Sequence, residues 1–245
     1  MSLEKTLAAW EGNTVPRNVV DAILVAAGQS RRMGFDKLFT PRKGKTLLEI
    51  CLRRVLSFSA LGRLALVIPA ERFSQAAALA SRLGIEQKTC IVPGGRRRQD
   101  SVYAGLNALS EGSPFVMVHD AARPLVTCEL IERVWRVALE VGAAACGLPS
   151  RDTVKEAESG QNWVRRTLDR SLLWLIQTPQ IFRREILQKA YEALMRDTVE
   201  VTDDAAAVER VGYRVQLVPY EGWNFKVTSP PDWELVWSLL ERGDG

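Results

Sequence analysis

The chain has 245 residues, 47% of them hydrophobic and 25% charged, with 33 Lys and Arg against 29 Asp and Glu. That length accommodates one large α/β domain with a full core, and the balance excludes a fibrous or disordered chain. No apolar run approaches the roughly 18 residues of a membrane span, and a net charge of +4 without basic blocks suits small anions and argues against nucleic acid as a partner.

Residues 1–17 mix charges without an apolar stretch, which reads as a flexible extension, neither secretory signal nor anchor. Short apolar runs then alternate with helical patterns. Strands are predicted at 20–26, 63–68, 89–92, 115–119 and 143–148, and helices at 46–59, 72–83, 99–110 and 127–141. Such alternation builds a mostly parallel sheet with helices on both faces, and ligands bind beyond the carboxyl ends of its strands. The pattern breaks over 151–175 into two β-like stretches around Thr153–Lys155 and Trp163–Thr167, read as a projecting hairpin. Helices at 183–195, 203–211 and 231–242, with strands at 213–218 and 224–227, complete a single domain over 18–245. Cys51, Cys90, Cys128 and Cys146 are isolated, with no C-x-x-C spacing, and imply a reducing, cytoplasmic setting.

Chemistry is concentrated at strand ends. After the run Ala22–Val25 come Ala26, Ala27, Gly28 and Ser30, small enough for backbone N–H groups to approach phosphate oxygens, followed by Arg31, Arg32 and Lys37. The design is an anion cradle for a polyphosphate. It has neither the G-x-x-x-x-G-K-[ST] of a P-loop nor the three-glycine spacing of a dinucleotide turn. Gly94-Gly95 opens a second turn, where backbone groups and the Ser101 hydroxyl can meet a base, while Arg96 to Arg98 read either as ligands or as a solvated face. His119-Asp120-Ala121-Ala122-Arg123 places a carboxylate after a buried strand, where Asp120 can hold Mg²⁺ or cap the following turn, and the alanines leave room for a ribose or phosphate. His119 reads as a hydrogen-bonded core residue. A phosphate nucleophile is ionised near neutral pH and needs no general base.

The motifs A-A-G-Q-S-R-R-M-G…K, G-G-R-R-R-Q-D-S-V, V-H-D-A-A-R-P, R-D-T-V-K, T-L-D-R…L-W, Q-T-P-Q-I-F, V-T-D-D-A-A-A-V-E and N-F-K-V-T, in this order, resemble those of the 2-C-methyl-D-erythritol 4-phosphate cytidylyltransferases of non-mevalonate isoprenoid synthesis. The resemblance implies a Rossmann-like nucleotidyltransferase fold, a homodimer joined through an arm at 151–175, and transfer of CMP from CTP to methylerythritol phosphate with Mg²⁺. It assigns Arg32 and Lys37 to charge on the α-phosphate, and Arg170 and Lys226 to the second substrate. Ala26, Ala27, Gly28 and Ser30 would wrap the triphosphate, Gly95 and Ser101 would read cytosine, and Asp120 with Ala121 would meet the ribose, Asp120 also binding the metal. Arg123, Thr153, Thr178 and Thr202 would line the second substrate's site. Ser30 stands where the family commonly has glycine, Asp36 where it has proline, and Trp223 where some members carry an acidic residue. A ribitol 5-phosphate cytidylyltransferase and a non-catalytic nucleotide-binding domain are the alternatives.

Overall fold

The computed structural model describes residues 19–28, 30, 32–109 and 112–243. The expectations for residues 1–17 and for Arg31 therefore lie outside the described residues. A seven-stranded sheet is built from β1 (Val20–Val25), β2 (Leu61–Ile68), β3 (Thr89–Pro93), β4 (Phe115–Asp120), β5 (Ala143–Pro149), β8 (Trp174–Arg183) and β9 (Gln216–Pro219), in the order β3-β2-β1-β4-β8-β5-β9. All neighbouring pairs are parallel except those of β8, which runs antiparallel to both β4 and β5. Every residue of β4 is buried, as a strand covered on both faces requires.

Alternation along β1 sends Val20, Ala22 and Leu24 to one face and Ile23 to the other. The first face packs against α1 (Leu47–Leu56), α2 (Phe73–Leu83), α4 (Cys128–Val141) and α7 (Pro230–Arg242). The second carries α3 (Arg98–Ala108), α5 (Arg184–Asp197) and α6 (Asp204–Arg210). Local chemistry sets the helix boundaries. Thr46 and Thr127 accept hydrogen bonds from Glu49 N and Leu130 N as N-caps, Gly142 ends α4 in the left-handed region, and Ser229 with Asp232 forms a capping box ahead of Pro230.

The hairpin is present. β6 (Lys155–Ala157) and β7 (Val164–Thr167) form their own antiparallel pair, outside the main sheet. Trp163 is 73% exposed and Leu172 77%.

Two expectations fail. Residues 174–183, given no element from the sequence, form β8, the longest strand described. Residues 224–227, read as a strand, are an irregular segment held by one backbone bond, Val227 N–H to Ala122 O at 2.8 Å.

Candidate functional site

A cleft of about 1030 Å³ opens at the carboxyl ends of β1, β3 and β4. From β1 the chain passes outward to β2 and β3 on one side, and β4 lies on the other, so the cleft sits at the reversal of strand order.

The first wall follows β1. Ala26 N–H still donates to Val67 O at 2.7 Å, after which Ala27, Gly28, Ser30 and Arg32 line the cleft. Ser30 has φ 48°, in the left-handed region that glycine enters without strain. Its Oγ is buried and has no partner among the described residues. Asp36 fixes the turn by hydrogen bonds: its Oδ1 accepts from Leu38 N at 3.1 Å and Phe39 N at 3.3 Å, and its Oδ2 pairs with Arg72 at 3.0 Å. The turn so fixed carries Lys37 into the cleft wall, 9% exposed. Burial pushes the Lys37 ammonium below its usual range, and Lys226 and Arg32 push it in the same direction.

The second wall follows β3. Gly94 is packed so closely on Ala27 that a Cβ there would overlap the alanine methyl, so this glycine sets the spacing between the two loops. Ser101 Oγ accepts from Gly95 N at 3.0 Å and faces Arg97 O at 3.2 Å. The three adjacent arginines separate: Arg97 folds back on Asp100 at 2.7 Å, Arg96 lines the cleft, and Arg98 turns inward.

Asp120 forms the floor. It does not cap the next turn, since its Oδ1 accepts from Arg98 Nε at 2.9 Å and its Oδ2 from Lys226 Nζ at 2.7 Å. Burial alone would raise its pKa, but Arg98 and Lys226 outweigh that and hold the carboxyl well below the usual range. Arg98 is held above its ordinary value, the two carboxylates overcoming the opposing effect of burial. Behind the floor, Asp120 N–H donates to Thr178 Oγ1 at 3.0 Å, Thr178 Oγ1 meets His119 Nδ1 at 3.1 Å, and His119 Nε2 meets Arg123 O at 3.2 Å. Burial pushes His119 down to about 4. A neutral ring protonated at Nε2 satisfies the whole chain, and His119 is the core residue the sequence suggests.

The cleft thus gathers Ala26, Ala27, Gly28, Ser30, Arg32, Lys37, Gly95, Ser101, Asp120 and Lys226. Ala121 is fully enclosed, its N–H given to Val25 O at 2.9 Å, and Ala122 lines the cleft in its place. Thr178 is buried beneath the floor, and Arg123 Nη1 donates to Asn224 O at 2.9 Å. Thr202, Thr153 and Arg170 are exposed and do not line this cleft, and Arg170 Nη1 donates to Arg151 O at 2.7 Å. Arg151, Trp223 and Asn224 border a smaller cleft of about 550 Å³, so Asn224 does not face the main one.

Sequence reasoning left Arg98 undecided and missed its far partner Asp204, which also accepts from Tyr191. The fork of Arg98 reaches Asp204 106 positions away, and no local spacing marks such a pair.

Among the described residues no group of three or more His, Cys, Asp or Glu is placed to hold a metal ion. One carboxylate beside a cationic loop nevertheless fits Mg²⁺ delivered on a polyphosphate, which commonly takes one or two protein carboxylates and completes its shell with phosphate oxygens and water.

The chain is similar to proteins named for one cytidylyltransferase activity, alone or joined to a second enzyme. A curated 2-C-methyl-D-erythritol 4-phosphate cytidylyltransferase of Pelotomaculum thermopropionicum is 38% identical over 229 residues, covering 92% of this chain and 96% of the relative. A bifunctional IspD/IspF enzyme of Anaeromyxobacter is 42% identical over 224 residues, and the match spans 91% of this chain but 57% of that relative. Among solved structures, the 4-diphosphocytidyl-2C-methyl-D-erythritol synthase of Anaerococcus prevotii superposes with a TM-score of 0.81 at 28% identity, covering 92% of this chain and 97% of its own. The Thermus thermophilus cytidylyltransferase gives 0.72 at 31%, covering 91% and 99%. The family model of 2-C-methyl-D-erythritol 4-phosphate cytidylyltransferases matches residues 20–242. The chain belongs to the 2-C-methyl-D-erythritol 4-phosphate cytidylyltransferase family.

Proposed function

We propose that this chain transfers the cytidylyl group of CTP to 2-C-methyl-D-erythritol 4-phosphate, releasing pyrophosphate, an isoprenoid-precursor reaction. The observation that carries the reading is the crowding of cations in the cleft. Lys37 is nearly buried, and desolvation and the neighbouring cations Lys226 and Arg32 all disfavour its charge. Such an arrangement is costly when empty of anions and favourable around a polyphosphate whose charge rises during reaction.

In this reading the turn from Ala26 to Ser30 wraps the triphosphate, Gly95 and Ser101 read cytosine, and the Asp120 region receives the ribose. The methylerythritol phosphate oxygen attacks the α-phosphorus in line, and the bond to the β-phosphate breaks with both electrons leaving on pyrophosphate. Arg32 and Lys37 stabilise charge on the α-phosphoryl oxygens. Lys226 positions the incoming phosphate, Thr178 supports the floor from beneath Asp120, and Arg123 and Thr202 act from outside the cleft lining. When bound, Mg²⁺ neutralises phosphate charge, and Asp120 is the residue that would hold it. Thr153 and Arg170, exposed and outside the lining of their own cleft, would serve a neighbouring subunit of a homodimer. Apolar exposure at Trp163, Val164, Leu172 and Leu175 supports that partner.

The test is pyrophosphate release from CTP, measured separately with methylerythritol phosphate and ribitol 5-phosphate. The expected result is release with the first and only background with the second. Release with ribitol 5-phosphate alone would transfer the assignment to the sister activity, and release with neither would favour a binding domain.

A further inference from the structure

We propose that Arg98 is a positioning residue for Asp120, held in place by a buried clamp formed by Asp204 and Tyr191. Arg98 is the first residue of α3 and reaches in two directions. Its Nε donates to Asp120 Oδ1 at 2.9 Å, while Nη1 and Nη2 donate to the two oxygens of Asp204 at 3.1 and 2.8 Å. Asp204 opens α6, has no exposed surface and does not line the cleft. It accepts a further bond from Tyr191 Oη at 2.5 Å, delivered from α5.

This geometry divides the work of the Asp120 carboxylate. Oδ1 is committed to a guanidinium that cannot rotate without leaving a buried carboxylate unpaired. Oδ2 faces Lys226, whose side chain is 38% exposed and free to follow an incoming phosphate. One oxygen is structural and the other is exchangeable. Lysine could not replace Arg98, because a point charge does not span two carboxylates as a planar fork does. The surroundings reinforce the clamp: Gln99 donates to Val199 O at 2.7 Å and accepts from Val201 N at 3.0 Å. Gln180 donates to Asp203 at 2.9 Å and accepts from Ala205 N at 2.9 Å. The first turn of α3 and strand β8 therefore fix the segment that carries Asp204.

The inference rests on the reading of Asp120 as the residue that meets metal-bound CTP. Its test uses Asp204→Asn, which keeps the shape and an acceptor for Tyr191 but removes the charge that draws the Arg98 fork away from the cleft. The fork would then turn onto both oxygens of Asp120 and compete with the metal. Mn²⁺ serves as the probe, its binding to the full-length enzyme followed by paramagnetic resonance with CTP present and the second substrate omitted. The expected result is binding weakened by about tenfold, the scale of one hydrogen bond to a charged group. Tyr191→Phe leaves both charges in place and should weaken binding less, in the same direction. It also serves if Asp204→Asn does not fold. At saturating metal and CTP, KM for the polyol phosphate should stay at the wild-type value, whereas a general loss of structure would move it too. Wild-type Mn²⁺ binding in both variants would overturn the clamp. A wild-type enzyme that binds CTP equally with and without Mn²⁺ would overturn the metal reading of Asp120, and the role of Arg98 with it.

Discussion

Single residues in this cleft work through charge held in restricted volume. Burial and the neighbouring cations disfavour the charge of Lys37 in the empty site, and under the proposed function Lys37 and Arg32 meet charge developing on the α-phosphoryl group, so their removal should act on the chemical step. Arg32→Ala and Lys37→Ala are each expected to lower kcat by on the order of 10²-fold, the scale for one preorganised donor. Lys226→Ala, by contrast, should act mainly through the second substrate, raising KM for the polyol phosphate while CTP binding holds. Steady-state kinetics with each substrate varied in turn checks the division, and a Lys37→Ala enzyme with wild-type kcat would remove Lys37 from the mechanism. Arg32 and Lys37 were legible in the sequence as part of the cationic turn that follows β1, and Lys226 through the family resemblance. Arg98 was not, since its meaning depends on Asp204 and Tyr191, brought together only by packing α5 and α6 beside α3.

Among the elements, the loops that form the cleft depend on close approach more than on regular structure. Gly94 lies against Ala27, and Gly94 N–H donates to Ile68 O at 2.9 Å, so the loops that follow β1 and β3 share a fixed spacing. Gly94→Ala should force them apart and lower kcat/KM for CTP by on the order of 10²-fold, comparable with an ångström of misplacement. Unchanged circular dichroism would place the loss in the site, and an unchanged kcat/KM would show that the spacing is not needed. The parallel strands were legible because burial on both faces writes them as continuous apolar runs. Strand β8 was not, because Gln177-Thr178-Pro179-Gln180 interrupts it with polar residues and a proline. Between the pairs Ala145–Gln180 and Gly147–Ile176 that stretch bulges from the ladder, with Thr178 under Asp120. The opposite error came at Asn224–Val227, where Phe225 and Val227 alternate with Lys226 and Thr228 like a strand. The segment is instead kept irregular, with Asn224 Nδ2 bonded to Gln177 Oε1 at 3.0 Å and Thr178 O at 2.9 Å, so that Lys226 can reach Asp120.

For the whole molecule, Arg170 and Thr153 are exposed and do not line the cleft that their proposed roles concern. A lone two-stranded ribbon is marginal in water, and a second copy would both cover its apolar side chains and bring these residues to a cleft. Mixing inactive Arg170→Ala and Lys37→Ala proteins and allowing subunits to exchange should therefore restore activity, because each heterodimer then contains one intact composite site. Continued inactivity after verified exchange would make the site self-contained. Group transfer itself is tested most directly by phosphorus-31 NMR of the wild-type enzyme with CTP, Mg²⁺ and 2-C-methyl-D-erythritol 4-phosphate. The account predicts a pair of mutually coupled doublets from two inequivalent phosphorus atoms in a new diphosphate, growing in step with pyrophosphate as CTP declines. CMP and pyrophosphate without that coupled pair, or CTP left intact, would contradict it.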